Sequence, residues 1–361
     1  MQSEDHTRGD RGARFLILAA SIVVVVAGLK AAAQLILPFL VSAFVAVIST
    51  PFVAWLQSRK LPTWVAVTLT IVVDLAVIVL LGLVVGRSVN EFTAAAPRYQ
   101  ERAQNLATSM LATLDARGVD TSQWRPLQAV NPGALFDMVG TTLSAVTSVL
   151  SNAFLVFLLL VFMLLEATAF PRKLTAAFGG RTENAERFTV MTRQIQRYLG
   201  IKTLVSLATG VAAGAWVAAL GLGVPLLWGL IAFIFNFVPN IGSIVAAVPP
   251  FVLALMQFGV WRAVAVAAGY LVINVVLANF VEPYLMGRRL GLSTLVVVLS
   301  LVFWGWVWGP VGMILSVPLT MVVKIALENT PDLRWIAVML DANPKAPAPE
   351  PPAAPAGRAG D

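Results

Sequence analysis

The chain contains no cysteine and a single histidine, His6, which sits in a polar N-terminal stretch. Disulfides, thiolate metal sites and cysteine nucleophiles are thereby excluded. With no histidine inside the fold, a structural zinc site or a Ser–His–Asp triad has no base or ligand to draw on. Charge is also scarce, at 12% of residues against 58% hydrophobic over a length of 361. Soluble domains carry about twice that charge and about half apolar residues. A water-soluble globule of this size has too much surface to hide that much apolar material. The composition points to a polytopic membrane protein. The charged residues that remain are 25 Lys+Arg against 18 Asp+Glu. That excess reads as the basic bias of cytoplasmic loops, not as a nucleic-acid surface.

What the chain has in abundance is long charge-free runs. They cover residues 15–29, 31–56, 139–165, 203–261, 263–281 and 290–323, and residues 61–86 form another broken only by Asp74. A crossing needs about 20 apolar residues. The 203–261 run is too long for one crossing, and 290–323 is long enough for a hairpin of two short helices. Proline and glycine divide both: Pro225, Pro239-Asn240-Ile241-Gly242 and Pro249-Pro250 in the first, Gly309-Pro310-Val311-Gly312 and Pro318 in the second. Short helices are expected over 225–238, 241–257, 292–308 and 311–327, as full crossings or as re-entrant arms. The fold class is all-α: a transmembrane helical bundle of about eight spans plus broken or re-entrant helices.

Lysine and arginine set an orientation. Arg8, Arg11 and Arg14, then Arg59 and Lys60, the seven basic residues from Arg172 to Lys202, and Arg288-Arg289 mark inner segments. The organisation that follows is a cytoplasmic tail over 1–14, three spans within 15–87 and an extracytoplasmic amphipathic region over 88–142. Next come a span over 143–165, a basic cytoplasmic amphipathic helix over 166–202, a core of broken helices over 203–327 and a Pro-rich tail over 328–361. Turns are expected at Arg125-Pro126 and Asn131-Pro132-Gly133. Phe188, Met191, Ile195 and Tyr198 form an apolar stripe on the second amphipathic helix, whose Arg187, Arg193, Arg197 and Lys202 are placed to reach anionic headgroups. Trp304, Trp306 and Trp308 suit an outer aromatic belt.

Two stretches share a series of landmarks. Leu220, Pro239, Gly242 and Pro249 are spaced 19, 3 and 7 apart; Leu290, Pro310, Gly312 and Pro318 are spaced 20, 2 and 6. The charge pattern starts the first outside and the second inside, the arrangement of an inverted repeat.

Ile195-Gln196-Arg197-Tyr198-Leu199-Gly200, Val238-Pro239-Asn240-Ile241-Gly242 through Pro249, and Glu282-Pro283-Tyr284-Leu285-Met286-Gly287 resemble the autoinducer-2 exporter family of bacterial membrane proteins, also called PerM-type permeases. Gly305, Gly309, Gly312 and Pro318 fit the same pattern. The resemblance covers about residues 15–327. It implies an oligomeric inner-membrane exporter of about eight spans, with its substrate left open between a small signalling molecule and sodium–proton exchange.

The candidate transport residues are few. Asp74 lies near mid-span, where a carboxyl is costly unless paired, protonated or hydrated. It is expected either to bind a coupling proton or sodium ion, or to bond a neighbouring helix or an oligomer interface. Asn236 and Asn240 flank the Pro239 break and, with Gly242, could meet a polar solute or cap the freed backbone. Glu282 suits a gate or an interfacial anchor near Arg288 and Arg289. Asn274 and Asn279 suit helix–helix bonding, and Gly305, Gly309, Gly312 and Pro318 suit close packing or hinging. The leading reading is a secondary transporter exporting a small polar solute. Sodium–proton antiport and a non-transporting envelope scaffold are the alternatives. No cofactor is expected, and no phosphate-binding loop of the Gly-x-x-x-x-Gly-Lys-Ser/Thr kind is present. An intramembrane protease would need a histidine or a second deep acid.

Overall fold

The structure is a computed structural model, and it describes residues 16–17, 20–21, 23–116, 140, 152–177, 182–239, 241–286, 292–328, 330 and 333–342. Asn240, Arg288, Arg289, the turns at 125–133 and the tail from 343 lie outside the described residues. The helices are α1 (Ala33–Ser58), α2 (Thr63–Ala116), α3 (Ala153–Ala177), α4 (Thr182–Ala219), α5 (Pro225–Phe235), α6 (Ile241–Phe258) and α7 (Val260–Asn274). A π-helical segment, Val275–Val281, follows, then α8 (Glu282–Met286), α9 (Thr294–Glu328) and α10 (Arg334–Leu340). Residues 23–31 are helical and lead into α1 through Ala32, whose N–H still reaches the Gly28 carbonyl at 2.9 Å.

Among the described residues, six helical stretches are long and apolar enough to cross a membrane, and Ala153–Ala167 and Pro225–Phe235 are shorter apolar helices. Their outer faces carry Trp64, Leu80, Leu83, Phe162, Val211, Leu271 and Phe280 in the open, as lipid-facing helices do. Polar side chains tie the helices where apolar packing alone is not selective. Ser42 of α1 sits between the carbonyls of Pro38 and Val156, at 2.6 and 2.8 Å, and so fastens α1 to α3. Ser49 of α1 donates to Asp74 of α2. Around them Ala46, Val53, Leu56, Ala66, Val67, Leu160 and Leu164 form a core.

The centre of the fold is α5. Its residues from Leu227 to Ala232 are all buried. It lies against α4 through glycines. A Cβ on Gly210 would stand 2.7 Å from the Gly229 carbonyl oxygen, and one on Gly214 3.2 Å from that of Pro225. Gly210 and Gly214 form a small-xxx-small pair, which lets two backbones touch. The chain then turns at Asn236–Pro239 and returns as α6, with Ala246, Leu253 and Ala254 packed on Leu227, Trp228 and Ile231. Pro225–Phe258 is therefore a helical hairpin, and its first arm, α5, rises only about 16 Å where the hydrocarbon is about 30 Å thick.

A second hairpin is hidden inside α9. Gly309 has φ 65° and ψ −148°, far from helical values. Trp304 Nε1 donates to Thr320 Oγ1 at 3.0 Å. In a straight helix those residues would stand about 24 Å apart along the axis, so Thr294–Glu328 is two arms folded on each other. Only glycine adopts that backbone readily, and Gly309→Ala is expected to cost about 1–3 kcal/mol, seen as a lower unfolding temperature of the purified protein.

The two tips are built alike. At each, a glycine two or three residues past the proline is pressed on the preceding arm: a Cβ on Gly242 would overlap the Phe235 carbonyl, and one on Gly312 the Trp304 carbonyl. The tips also point in opposite directions. Phe237, at the first tip, meets Phe44 in mid-α1. That same level of α1 packs with Leu292 and Met321, at the base of the second hairpin. The second tip lies about 15–20 Å away along the helix, where Trp308 Nε1 donates to the Leu29 carbonyl at 3.0 Å and Ile36 and Leu37 surround it. The shared landmarks of 220–249 and 290–318 thus correspond to two hairpins entering from opposite ends.

The tryptophan reading is corrected by this geometry. Trp304 and Trp308 are buried at 8% and 7% exposure and stack on each other inside the second hairpin. Only Trp306 faces outward, with the Lys30 ammonium 4.1 Å above its ring. The even spacing of 304, 306 and 308 suggested one face. The fold at Gly309 instead needs bulk on the inner side of the arm to fill the gap between its limbs.

Candidate functional site

One group of the core's polar side chains gathers where the first tip meets α4. Lys202, Ser206 and Thr209 lie one turn apart on the buried face of α4, above Tyr198 and Leu199. Lys202 Nζ donates to both oxygens of Glu282, at 3.0 and 2.9 Å. The two side chains are 7% and 17% exposed. Lysine and glutamate are rarely buried this far unless paired. One turn along α4, Ser206 accepts a hydrogen bond from Asn236 Nδ2 at 3.0 Å, and both are buried. Across the tip, Ser243 in the first turn of α6 donates to Asn274 Oδ1 at 2.7 Å.

These three links close a ring. It runs from Lys202 and Ser206 on α4, through Asn236, round the 236–243 tip to Ser243, across to Asn274, along the π segment to Glu282 and back to Lys202. Three buried side-chain oxygens among the described residues have no hydrogen-bond partner: Asp74 Oδ2, Thr203 Oγ1 and Tyr270 Oη. Thr203 is next to Lys202, and Tyr270 is one turn before Asn274. Unsatisfied buried hydroxyls are costly, and two of them border this ring.

The placement of the sequence candidates is uneven. Asn236 and Glu282 are in the ring, and Pro239 and Gly242 build its tip. Gly242 has no room for a side chain. Asp74 is elsewhere, on α2, with Oδ1 accepting from Ser49 at 2.9 Å. Gly305, Gly309, Gly312 and Pro318 belong to the second hairpin, where a Cβ on Gly305 would meet the Met313 side chain at 2.8 Å. Lys202, which the sequence places to reach headgroups, is instead the partner of Glu282. The signal was present, since Lys202 falls four residues after Tyr198 and so on the apolar stripe. A second buried lysine, Lys324 on α9, has no motif in the sequence to mark it. It donates to Asp341 at 2.7 Å and lies 3.6 Å from Glu328, closing α10 against the base of the second hairpin.

Helices long and apolar enough to cross a membrane, two opposed broken hairpins and a paired polar ring at one tip are parts from which membrane transporters are built. The comparison with known proteins agrees. The AI-2E family transporter pattern matches residues 17–332, and the chain belongs to that family. It is 39% identical over 329 residues to the AI-2 transport protein TqsA of Escherichia coli K12, covering 91% of this chain and 96% of that one. It is 38% identical over 334 residues to a putative transport protein of Haemophilus influenzae, with 91% and 96% covered. Identity to the Mycobacterium tuberculosis putative transport protein MT0215 is 28% over 342 residues, covering 92% and 90%. The protein is thus a multi-pass membrane transporter that handles a small solute, and its family is one of transport proteins, not enzymes.

Proposed function

We propose that the protein exports a small polar metabolite of the autoinducer-2 kind across the bacterial inner membrane, as a homo-oligomer with both termini in the cytoplasm. The observation that carries this reading is the buried polar ring at the tip of the Pro225–Phe258 hairpin, with a second hairpin of opposite sense beside it. A solute passing the tip can exchange hydrogen bonds with the Asn236 amide and the Ser206 hydroxyl. The resemblance to TqsA, named as an AI-2 transport protein, supports the solute class. The basic residues of the 1–14 and 166–202 segments support the orientation.

Asp74 is the proposed coupling residue, taking a proton or sodium ion. Its Oδ1 is held by Ser49 while Oδ2 is buried and unpartnered. Asp74→Asn keeps an oxygen for Ser49, so the protein is expected to fold at wild-type yield while losing ion-driven efflux. Metabolite profiles of cells with the protein, without it, and with Asp74→Asn check this. The solute is expected to build up inside cells in the second and third cases. Identical profiles with and without the protein would remove the export reading. Sodium flux without solute flux in proteoliposomes would leave antiport in its place.

A further inference from the structure

We propose that the Lys202–Glu282 pair is a latch closing one end of the transport path, and that the π-helical segment Val275–Val281 is the moving part that opens it. The inference deepens the transport reading above and rests on it.

The π segment sits between two polar clamps. Asn274 at its start is held by Ser243, and Glu282 at its end is held by Lys202. Between the clamps none of its residues is buried, and Val276 and Phe280 are 46% and 67% exposed. Packing does not lock the segment, so its register depends on its ends. The backbone N–H of Glu282 reaches Leu277, five residues back, where an α-helix would pair it with Ala278. One surplus residue is therefore stored in this stretch. Passing that residue beyond Glu282 would turn its side chain by about 100° and slide it by about 1.5 Å. A carboxylate held by both oxygens on one ammonium cannot follow that rotation, and the pair would part. Pro283 lowers the cost of the shift: it has no N–H, so neither register loses a backbone hydrogen bond there. Rare π turns inside α-helices commonly mark such functional positions.

The latch also lies where closure matters. Lys202 is one turn before Ser206, which holds Asn236 at the hairpin tip. Parting Glu282 from Lys202 opens the ring between α4 and the end of the π segment, while the Asn236–Ser206 and Ser243–Asn274 links at the tip stay in place.

The absence of native cysteine makes a direct test practical. Thr209→Cys places a thiol two turns beyond Lys202 on the same buried face of α4, at a position 6% exposed. The purified protein in nanodiscs is reacted with a polar maleimide, which needs no solute. Labelling is expected to be slow in the parent and at least about tenfold faster with Glu282→Gln, because that change removes the charge that holds the latch. The charge-reversed pair, Lys202→Glu with Glu282→Lys, is expected to return labelling to the slow rate, which a merely misfolded single variant would not allow. Deleting Ala278 removes the surplus residue and returns Glu282 to an α register facing Lys202. That variant is expected to label slowly, keep or gain thermal stability, and lose efflux. Labelling within twofold in Glu282→Gln, or full efflux in the deletion variant, overturns the latch. Since the labelling reads no transport, a failed latch leaves the export reading to its own test, and the reverse.

Discussion

Glu282→Leu alone is expected to lower stability by about 3–5 kcal/mol, whereas Lys202→Met combined with Glu282→Leu recovers most of that loss. The asymmetry follows from where the pair sits. Lys202 is buried to 7% exposure, and Glu282 supplies both of its ion-pair contacts. Taking the carboxylate away leaves an ammonium out of water with nothing to balance it. Taking both away leaves an apolar contact between α4 and the end of the π segment, which lipid and neighbouring side chains tolerate. Unfolding of the three proteins in the same detergent measures the coupling between the two sites. A pair kept only for stability would make the double variant poor in both respects. A pair kept for function gives a double variant that is stable and inactive.

The second large effect is expected at the hairpin tips. Gly242→Ala and Gly312→Ala should each cost more than about 3 kcal/mol and abolish efflux, since the added methyl overlaps a main-chain carbonyl. In the first hairpin that carbonyl belongs to Phe235, at the end of an arm buried between its neighbours, so it has nowhere to retreat. Gly200 and Gly82 are the controls. Both are helical, and a Cβ on either meets nothing within 4 Å. Alanine there is expected to be neutral or to add up to about 1 kcal/mol through helix propensity. Expression yield and thermal unfolding separate the two classes without any knowledge of the solute.

Much of this architecture is legible in the residue order. The charge-free runs announce a helical bundle, and Pro239-Gly242 and Pro310-Gly312 announce two breaks. Their matched spacing corresponds to tips of the same construction pointing opposite ways. What escaped has physical reasons. Lys202 ends a basic segment, so charge count drew it toward the lipid surface while its position in the helical period drew it inward. Trp304 and Trp308 sit where an interfacial belt would, and only the sharp reversal at Gly309 turns them inside. The π segment reads as ordinary apolar helix, and Pro283 is the lone hint that its hydrogen bonds are unusual. Gly210 and Gly214 do not stand out because glycine is common in membrane helices, although their four-residue spacing is what brings α4 onto α5.

The shortness of α5 bears on how the protein is made. Eleven residues cannot reach from one leaflet to the other, and a helix of that length is marginal by itself. When it leaves the ribosome it has neither the length to be handed to the lipid nor the partners that later enclose it. It must wait, looped at the edge, until α6 is synthesised and can carry it in against α4. The assembly of the central element is thus expected to follow the synthesis of α6, and chains truncated before α6 are expected to be degraded faster than the full chain.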